Sequence, residues 1–429
     1  MYRAMRLRLN SIILSLINIT CIWSKSLPVI SFEDGISRPY GSAISIGVPL
    51  VLTLLLVFFN LSKPYKKMRS IRTPFCQHCL FAIFSGIFLL FNEGSICNYI
   101  VAFFEYITYL ILFCAVYNFM SKEDVITAVD RGFRASLIIQ TAIGWLYVFF
   151  GILVPYISNY SNSVRNGFSR MTGSAGHPGD FSLYIAILFV YFISVYLFKK
   201  EKKYAVYAII AFVDIFLSGA RTMLVVSCLV GFFILIRKYR RNFFVISAIV
   251  VVTVIFVAWF LKSDVYQDMF VKNSLSDMFI ARFVHWIMGF RITFGDLQSF
   301  LVGVGLNSHV DYIDAHYSAY ATLVATASSV LDSDFVRGMP IHNSYLIMSS
   351  EMGIVGFIMY VRMYIIGIRK SILNIRKEDG SKYIWVFALA AFAVFAFYCI
   401  QGWAMMKRMS WILLIIVNAI IYVPYSGKN

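Results

Sequence analysis

Long apolar runs alternate with short basic turns along most of this chain. A helix needs about twenty apolar residues to cross roughly 30 Å of hydrocarbon. By that ruler about twelve spans are predicted, at 9–24, 41–61, 75–92, 98–119, 135–157, 181–198, 204–218, 222–236, 243–261, 342–366, 383–402 and 410–425. Lys and Arg cluster in every second connection: before the first span, then at 63–72, 122–134, 199–203, 237–241 and 369–382. Cytoplasmic loops carry such an excess, so both termini are expected to be cytoplasmic. The first run has a basic start but no small-residue cleavage site after it, and it reads as an uncleaved span. The expected fold is all-α, a polytopic membrane helix bundle.

One stretch breaks the alternation. Lys262 to Ile341 is mixed polar and aromatic sequence, and by the count of spans it faces outward. It divides the chain into an N-terminal membrane region (1–261), a large outer loop (262–341) and a C-terminal membrane region (342–429). His285, His309 and His316 lie in the loop and His342 at its end, with Arg282, Arg291 and Arg337. Within the loop, 276–294 has the spacing of an amphipathic helix at the outer interface, with Trp286 in the headgroup belt. The glycines of 295–310 predict a tight turn. A second outward connection, Ser158 to Asp180, carries Arg165, Arg170 and the sequence Thr172-Gly173-Ser174-Ala175-Gly176-His177-Pro178-Gly179. Its glycines predict a compact turn whose backbone N–H groups approach an anion.

Composition agrees with the membrane reading. Apolar residues make up 60%, charged residues 14%, and the mean hydropathy is +0.76, which excludes a soluble domain of 429 residues. The formal charge of +17 sits in turns between apolar runs, where it serves orientation; nucleic acid is not an expected partner. The seven cysteines lie in or beside spans and suggest neither a disulfide framework nor a zinc site. Cys76-Gln77-His78-Cys79 reads as a helix start. Asp332-Ser333-Asp334 has a metal-holding form, yet nucleotide donors are not expected outside the cytoplasmic membrane, so no metal and no cofactor is expected. Glu105 and Asp214, inside spans, are expected to have hydrogen-bond partners.

Arg221 is the most informative single residue. It stands between two apolar runs, sixteen residues before Arg237, a helical rise of only about 24 Å. A guanidinium is thus held below the outer surface, where a charge is costly without a partner and a lipid phosphate supplies one. Ser218, Gly219 and Thr222 beside it add small donors and room. Arg362 lies about 30 Å of helix beyond His342, so an Arg362 at the inner headgroups sets His342 at the outer interface. There the N-terminus of the tenth span favours a neutral imidazole able to act as a base.

Arg170-Met-Thr-Gly173 with His177-Pro178, then Ser218-Gly-Ala-Arg221-Thr222, then Arg282-x-x-x-Trp286 with Gly303-Val-Gly305, and last His342-Asn343 with Gly353-Ile-Val-Gly356 together resemble the bacterial O-antigen and capsule polysaccharide polymerase (Wzy-type) and O-antigen ligase superfamily. The resemblance covers roughly residues 135 to 425. It implies a membrane glycosyltransferase of the C-type group in the bacterial inner membrane, metal-independent and without a cofactor. The implied donor and acceptor are oligosaccharides on undecaprenyl pyrophosphate, with membrane lipids around them and a chain-length regulator as a protein partner. Carried over by motif, Arg221 and Arg282 hold the pyrophosphate and His342 activates the acceptor hydroxyl. Arg170, His177, Thr222, Trp286 and Asn343 are expected to contact substrate. The leading reading is a polysaccharide polymerase. The runner-up is a ligase passing polymer to lipid A core, and a lipid-linked oligosaccharide flippase is the alternative from another class.

Overall fold

The computed structural model describes residues 2–23, 27–31, 43–62, 69–92, 94–152, 164–165, 168–239, 275–316, 318–320, 341–377, 382–402 and 407–425. Helices dominate: α1 (Tyr2–Thr20), α2 (Val48–Phe58), α3 (Pro74–Phe84), α4 (Ile96–Phe119), α5 (Lys122–Phe150), α6 (Pro178–Lys199), α7 (Lys203–Leu217) and α8 (Arg221–Tyr239). After them come α9 (Leu275–Phe294), the short α10 (Leu297–Val302) and α11 (His309–Ala315), then α12 (Ser344–Lys377), α13 (Lys382–Gln401) and α14 (Arg408–Tyr422). Two small antiparallel pairs, β1 (Leu27–Ser31) with β2 (Ala43–Ile46) and 164–165 with 168–169, complete it. Among the described residues six helices are long and apolar enough to cross a membrane: α4, α5, α6, α8, α12 and α13. Four shorter apolar helices accompany them. The chain is an integral membrane protein of all-α class.

Several predicted boundaries shift. The span set at 41–61 begins at Val48, because 43–46 extends to pair with 27–31. Helix α3 tightens into a 3₁₀ turn at Ser85–Leu90. Helix α12 runs 34 residues, well past Arg362. Arg362 donates to Gln77 Oε1 on α3 at 2.7 Å. The predicted span 243–261 lies outside the described residues, as do Arg337 and Asp332-Ser333-Asp334.

Local sequence accounts for the helix starts. Thr73 caps α3 with Pro74 in its first turn, Ser121 and Asp124 form a reciprocal capping box on α5, and His177 caps α6 ahead of Pro178. Helices α6 and α13 are apolar on all sides and correspondingly central. They pack on each other, α6 also against α7 and α8, and α13 also against α8 and α12. The interior charges are matched: Glu105 pairs with Arg408 and accepts from Tyr109, and Asp214 accepts from Thr141 at 2.5 Å and Trp145 Nε1 at 3.0 Å.

Helix α9 presents two apolar faces. Val284, Met288 and Ile292 pack with Ile341, Leu346 and Ile347 at the start of α12, while Phe283, Phe290 and Phe294 are exposed on the other side. A tight junction follows. Gly353 interrupts α12 with φ +63°, ψ −171°. There the carbonyls of Ser350 and Glu351 accept from Val304 N (2.8 Å) and Gly305 N (3.2 Å), so the loop glycines are stitched to the kink. A Cβ at Gly303 (φ +73°) would overlap the Glu351 carbonyl, and one at Gly353 would overlap Leu301.

Gly303→Ala therefore combines an unfavourable φ with an overlap. Gly151→Ala, at φ +65° with nothing within 4 Å, carries only the left-handed penalty of about 1–2 kcal/mol. Thermal midpoints of the purified protein should fall further for Gly303→Ala; equal shifts would mean that the junction is loose.

Candidate active site

The N-termini of α6, α8 and α12 and the C-termini of α7 and α13 meet at one end of the bundle. A cavity of about 240 Å³ lies there, lined by Arg170, His177, Arg221, Thr222, Arg282 and His342 together with Tyr398, Gln401 and the small residues Gly179, Gly219, Ala220 and Gly402. Residues more than 170 positions apart thus share one space. The alternation of helix direction explains why: with α6, α7 and α8 running up, down and up, the turn before α6 and the turn between α7 and α8 fall on the same face, opposite the Lys199–Lys203 turn.

Helix-end carbonyls hold the arginines. The last carbonyls of a helix lack intrahelical partners and carry partial negative charge. At the end of α13, Arg282 Nη1 donates to Gln401 O, and the Gln401 side chain accepts from Thr222 Oγ1 at 2.7 Å. The next carbonyl, Gly402 O, accepts from both Ser344 N (3.1 Å) and Ser344 Oγ (2.7 Å). At the end of α7, Arg170 Nε donates to Ser218 O at 2.9 Å and Nη2 to Gly219 O at 3.4 Å. This fastens the turn that delivers Arg221 as the first residue of α8. Burial, together with the charge of Arg221, pulls the Arg282 guanidinium below its ordinary pKa, against an opposing pull from Tyr398. Two like charges so close favour an anion between them.

His342 precedes the cap of α12. Its ring meets the His285 ring nearly edge to face, with centroids 5.1 Å apart at 73°. Burial, then Arg282 and His309, push the pKa of His285 down to about 4, so that ring is neutral at pH 7. Trp286 Nε1 donates to His342 O at 3.4 Å.

Two expected substrate contacts stand elsewhere. Asn343 does not line the cavity; its carboxamide oxygen accepts from Tyr345 N (3.0 Å) and Leu346 N (3.1 Å) and caps α12. Trp286 also lies outside the lining, because its indole N–H is turned to the His342 backbone. His177 lines the cavity while its Nδ1 accepts from Gly179 N at 3.1 Å. Nor do the amides of the 170–179 turn await an anion at the positions where they are accounted for. Met171 N goes to Leu217 O, Ala175 N to Thr172 O and Ser174 N to Gln140 Oε1, because buried N–H groups must find partners.

Tyr398 and Gln401 were not singled out from the sequence. They sit one helical turn apart at the end of a uniformly apolar run, and that polar pair was the available signal. Among the described residues no three His, Cys, Asp or Glu side chains converge as a metal site requires.

Removing the cap should separate its role from substrate contact. Asn343→Ala is expected to cost about 1 kcal/mol and Asn343→Ser or Asp a few tenths, read as thermal midpoints. An equal loss in all three would remove the capping role.

No curated protein matches the chain. Residues 206–361, which contain Arg221, Arg282 and His342 and the glycine junction, match the family model Wzy_C, O-antigen ligase. The match supports, over that segment, a relationship to the O-antigen polymerase and ligase superfamily.

Proposed function

We propose that this protein is a polysaccharide polymerase of the bacterial inner membrane. It transfers a growing glycan from undecaprenyl pyrophosphate to the terminal sugar of another lipid-linked repeat unit. The observation that carries the reading is that Arg221, Arg282 and His342 line one cavity. A pyrophosphate leaving at a membrane surface needs cationic stabilisation, and two guanidiniums supply charge and paired donors in a fixed geometry.

In the proposed step the acceptor hydroxyl oxygen attacks the anomeric carbon of the donor glycan. The bond from that carbon to the pyrophosphate oxygen breaks, and its electron pair leaves with the diphosphate, held by Arg221 and Arg282. The hydroxyl proton passes to the imidazole of His342. Arg170 and Thr222 hold the turn and the helix start that carry Arg221, and Trp286 and Asn343 hold the backbone around His342. The site face is the outer one in this reading, since the Lys199–Lys203 turn, the Arg237–Lys238 end of α8 and the basic 369–382 segment lie at the other ends of the same helices.

A second reading, transfer of finished polymer to lipid A core, is favoured by the match of residues 206–361 to an O-antigen ligase family. It uses the same donor and the same leaving group, and only the acceptor differs.

Arg221→Ala, Arg282→Ala and His342→Ala are each expected to lower product formation by roughly 100-fold or more while the protein still inserts. Full-length glycan from any of them removes that residue from the mechanism. Arg221→Lys should also fail, because one ammonium does not reproduce the guanidinium fork. A deletion strain separates the two readings on a glycan gel: single repeat units capping the core indicate a lost polymerase, and long chains retained on the lipid carrier indicate a lost ligase.

A further inference from the structure

Behind the cavity lies a buried polar pair that the mechanism above does not use. His309 Nδ1 and Glu351 Oε1 are 2.8 Å apart, and both side chains are fully excluded from solvent. The other ring nitrogen, Nε2, accepts from the backbone N–H of Ile341 at 3.2 Å. This sets the tautomer: a nitrogen that accepts an N–H carries no proton, so the ring proton is on Nδ1 and is donated to Glu351. Ile341 is the residue immediately before His342.

We propose that Glu351 and His309 are positioning residues for His342, Glu351 fixing the tautomer of His309 and His309 fixing the backbone that carries His342. The inference rests on the transferase reading and deepens it. Three hydrogen bonds clasp the short segment that leads into α12. Ile341 N is held by His309, Ile341 O accepts from Asn343 N at 2.8 Å, and His342 O accepts from Trp286. Glu351 is itself fixed, since its carbonyl accepts from Gly305 N and that of Ser350 from Val304 N at the kink of α12. The glycine junction thereby sets the carboxylate, the carboxylate sets the imidazole, and the imidazole sets the chain entering His342.

Stability alone is a poor reason to keep such a pair. Burying a carboxylate beside an imidazole is costly, and apolar residues of similar volume commonly serve a fold as well or better. What apolar residues cannot supply is a directed acceptor for the Ile341 amide. Partners that orient metal-ligating histidines lower activity by about 10–100-fold when removed, and an effect in the same range is expected for this orienting pair.

The test uses the full-length protein in proteoliposomes. The probe is the host's own undecaprenyl-pyrophosphate-linked repeat unit, offered with whichever acceptor the wild-type chain uses, a second such unit or lipid A core. Release of undecaprenyl pyrophosphate gives the rate. His309→Asn keeps a donor toward Glu351 but loses the acceptor for Ile341, whereas His309→Gln extends an oxygen to the Nε2 position. His309→Asn and Glu351→Ala are expected to lower kcat per folded molecule by roughly 10–100-fold with KM within about twofold, and to lower the thermal midpoint as well, because each leaves a buried polar group without its partner. His309→Gln should recover most of the loss. If His309→Asn turns over like wild type while His342→Ala is inactive, the positioning role is wrong and the transferase reading stands. If His342→Ala turns over as well, that reading itself fails. If His309→Asn and His309→Gln both lose activity only in proportion to folded protein, the pair merely supports the fold and the proposal is overturned.

Discussion

The end of α13 is the point on which the site depends. A helix cannot satisfy its own last carbonyls, and in a low-dielectric setting something must. Here Gln401 O takes the guanidinium of Arg282, and Gly402 O takes the backbone and hydroxyl of Ser344. One unavoidable polar defect therefore gathers α9 and the start of α12 at the same place. The Gln401 side chain adds α8 through Thr222. Three segments far apart in the chain are brought into register by the leftover acceptors of a fourth.

The same device appears at the end of α7, where Arg170 satisfies Ser218 and Gly219. Charge that is costly to bury is thus made structural before it is made functional. Arg170 and Arg282 each give donors to helix-end carbonyls. Burial first, and the charge of Arg221 after it, lower the pKa of Arg282 at the cavity. Electrostatic preorganisation of this sort is set during folding and needs no rearrangement at the moment of reaction.

The glycines at the junction of α10 and α12 do different work from the anion cradle that glycine-rich turns suggest. Gly303 and Gly353 let the loop backbone and the α12 backbone approach until carbonyls and amides pair across the kink. Glu351 sits on that junction. The histidines then divide: His342 lines the cavity, His309 bridges a carboxylate and a backbone amide, and His285 is a neutral ring packed against His342. These three imidazoles lie within one stretch of sequence, yet their surroundings differ.

Hydropathy and helical spacing were enough to read the membrane bundle, most helix positions and the helix at 275–294, because the requirement to bury some twenty apolar residues per span acts locally along the chain. Arg221 and His342 were legible as well, each being a polar group in a place where a polar group is expensive. The parts that escaped are those whose meaning lies in a partner distant in sequence. Asn343 and Trp286 look like substrate contacts until the Tyr345 and Leu346 amides and the His342 carbonyl are seen to occupy them. Tyr398, Gln401 and the His309–Glu351 pair give little local sign, since a hydrogen bond between residues 42 or 179 positions apart leaves no period in the sequence. Which polar side chains remain turned to the cavity, and which are spent on helix ends, was decided only when the helices packed.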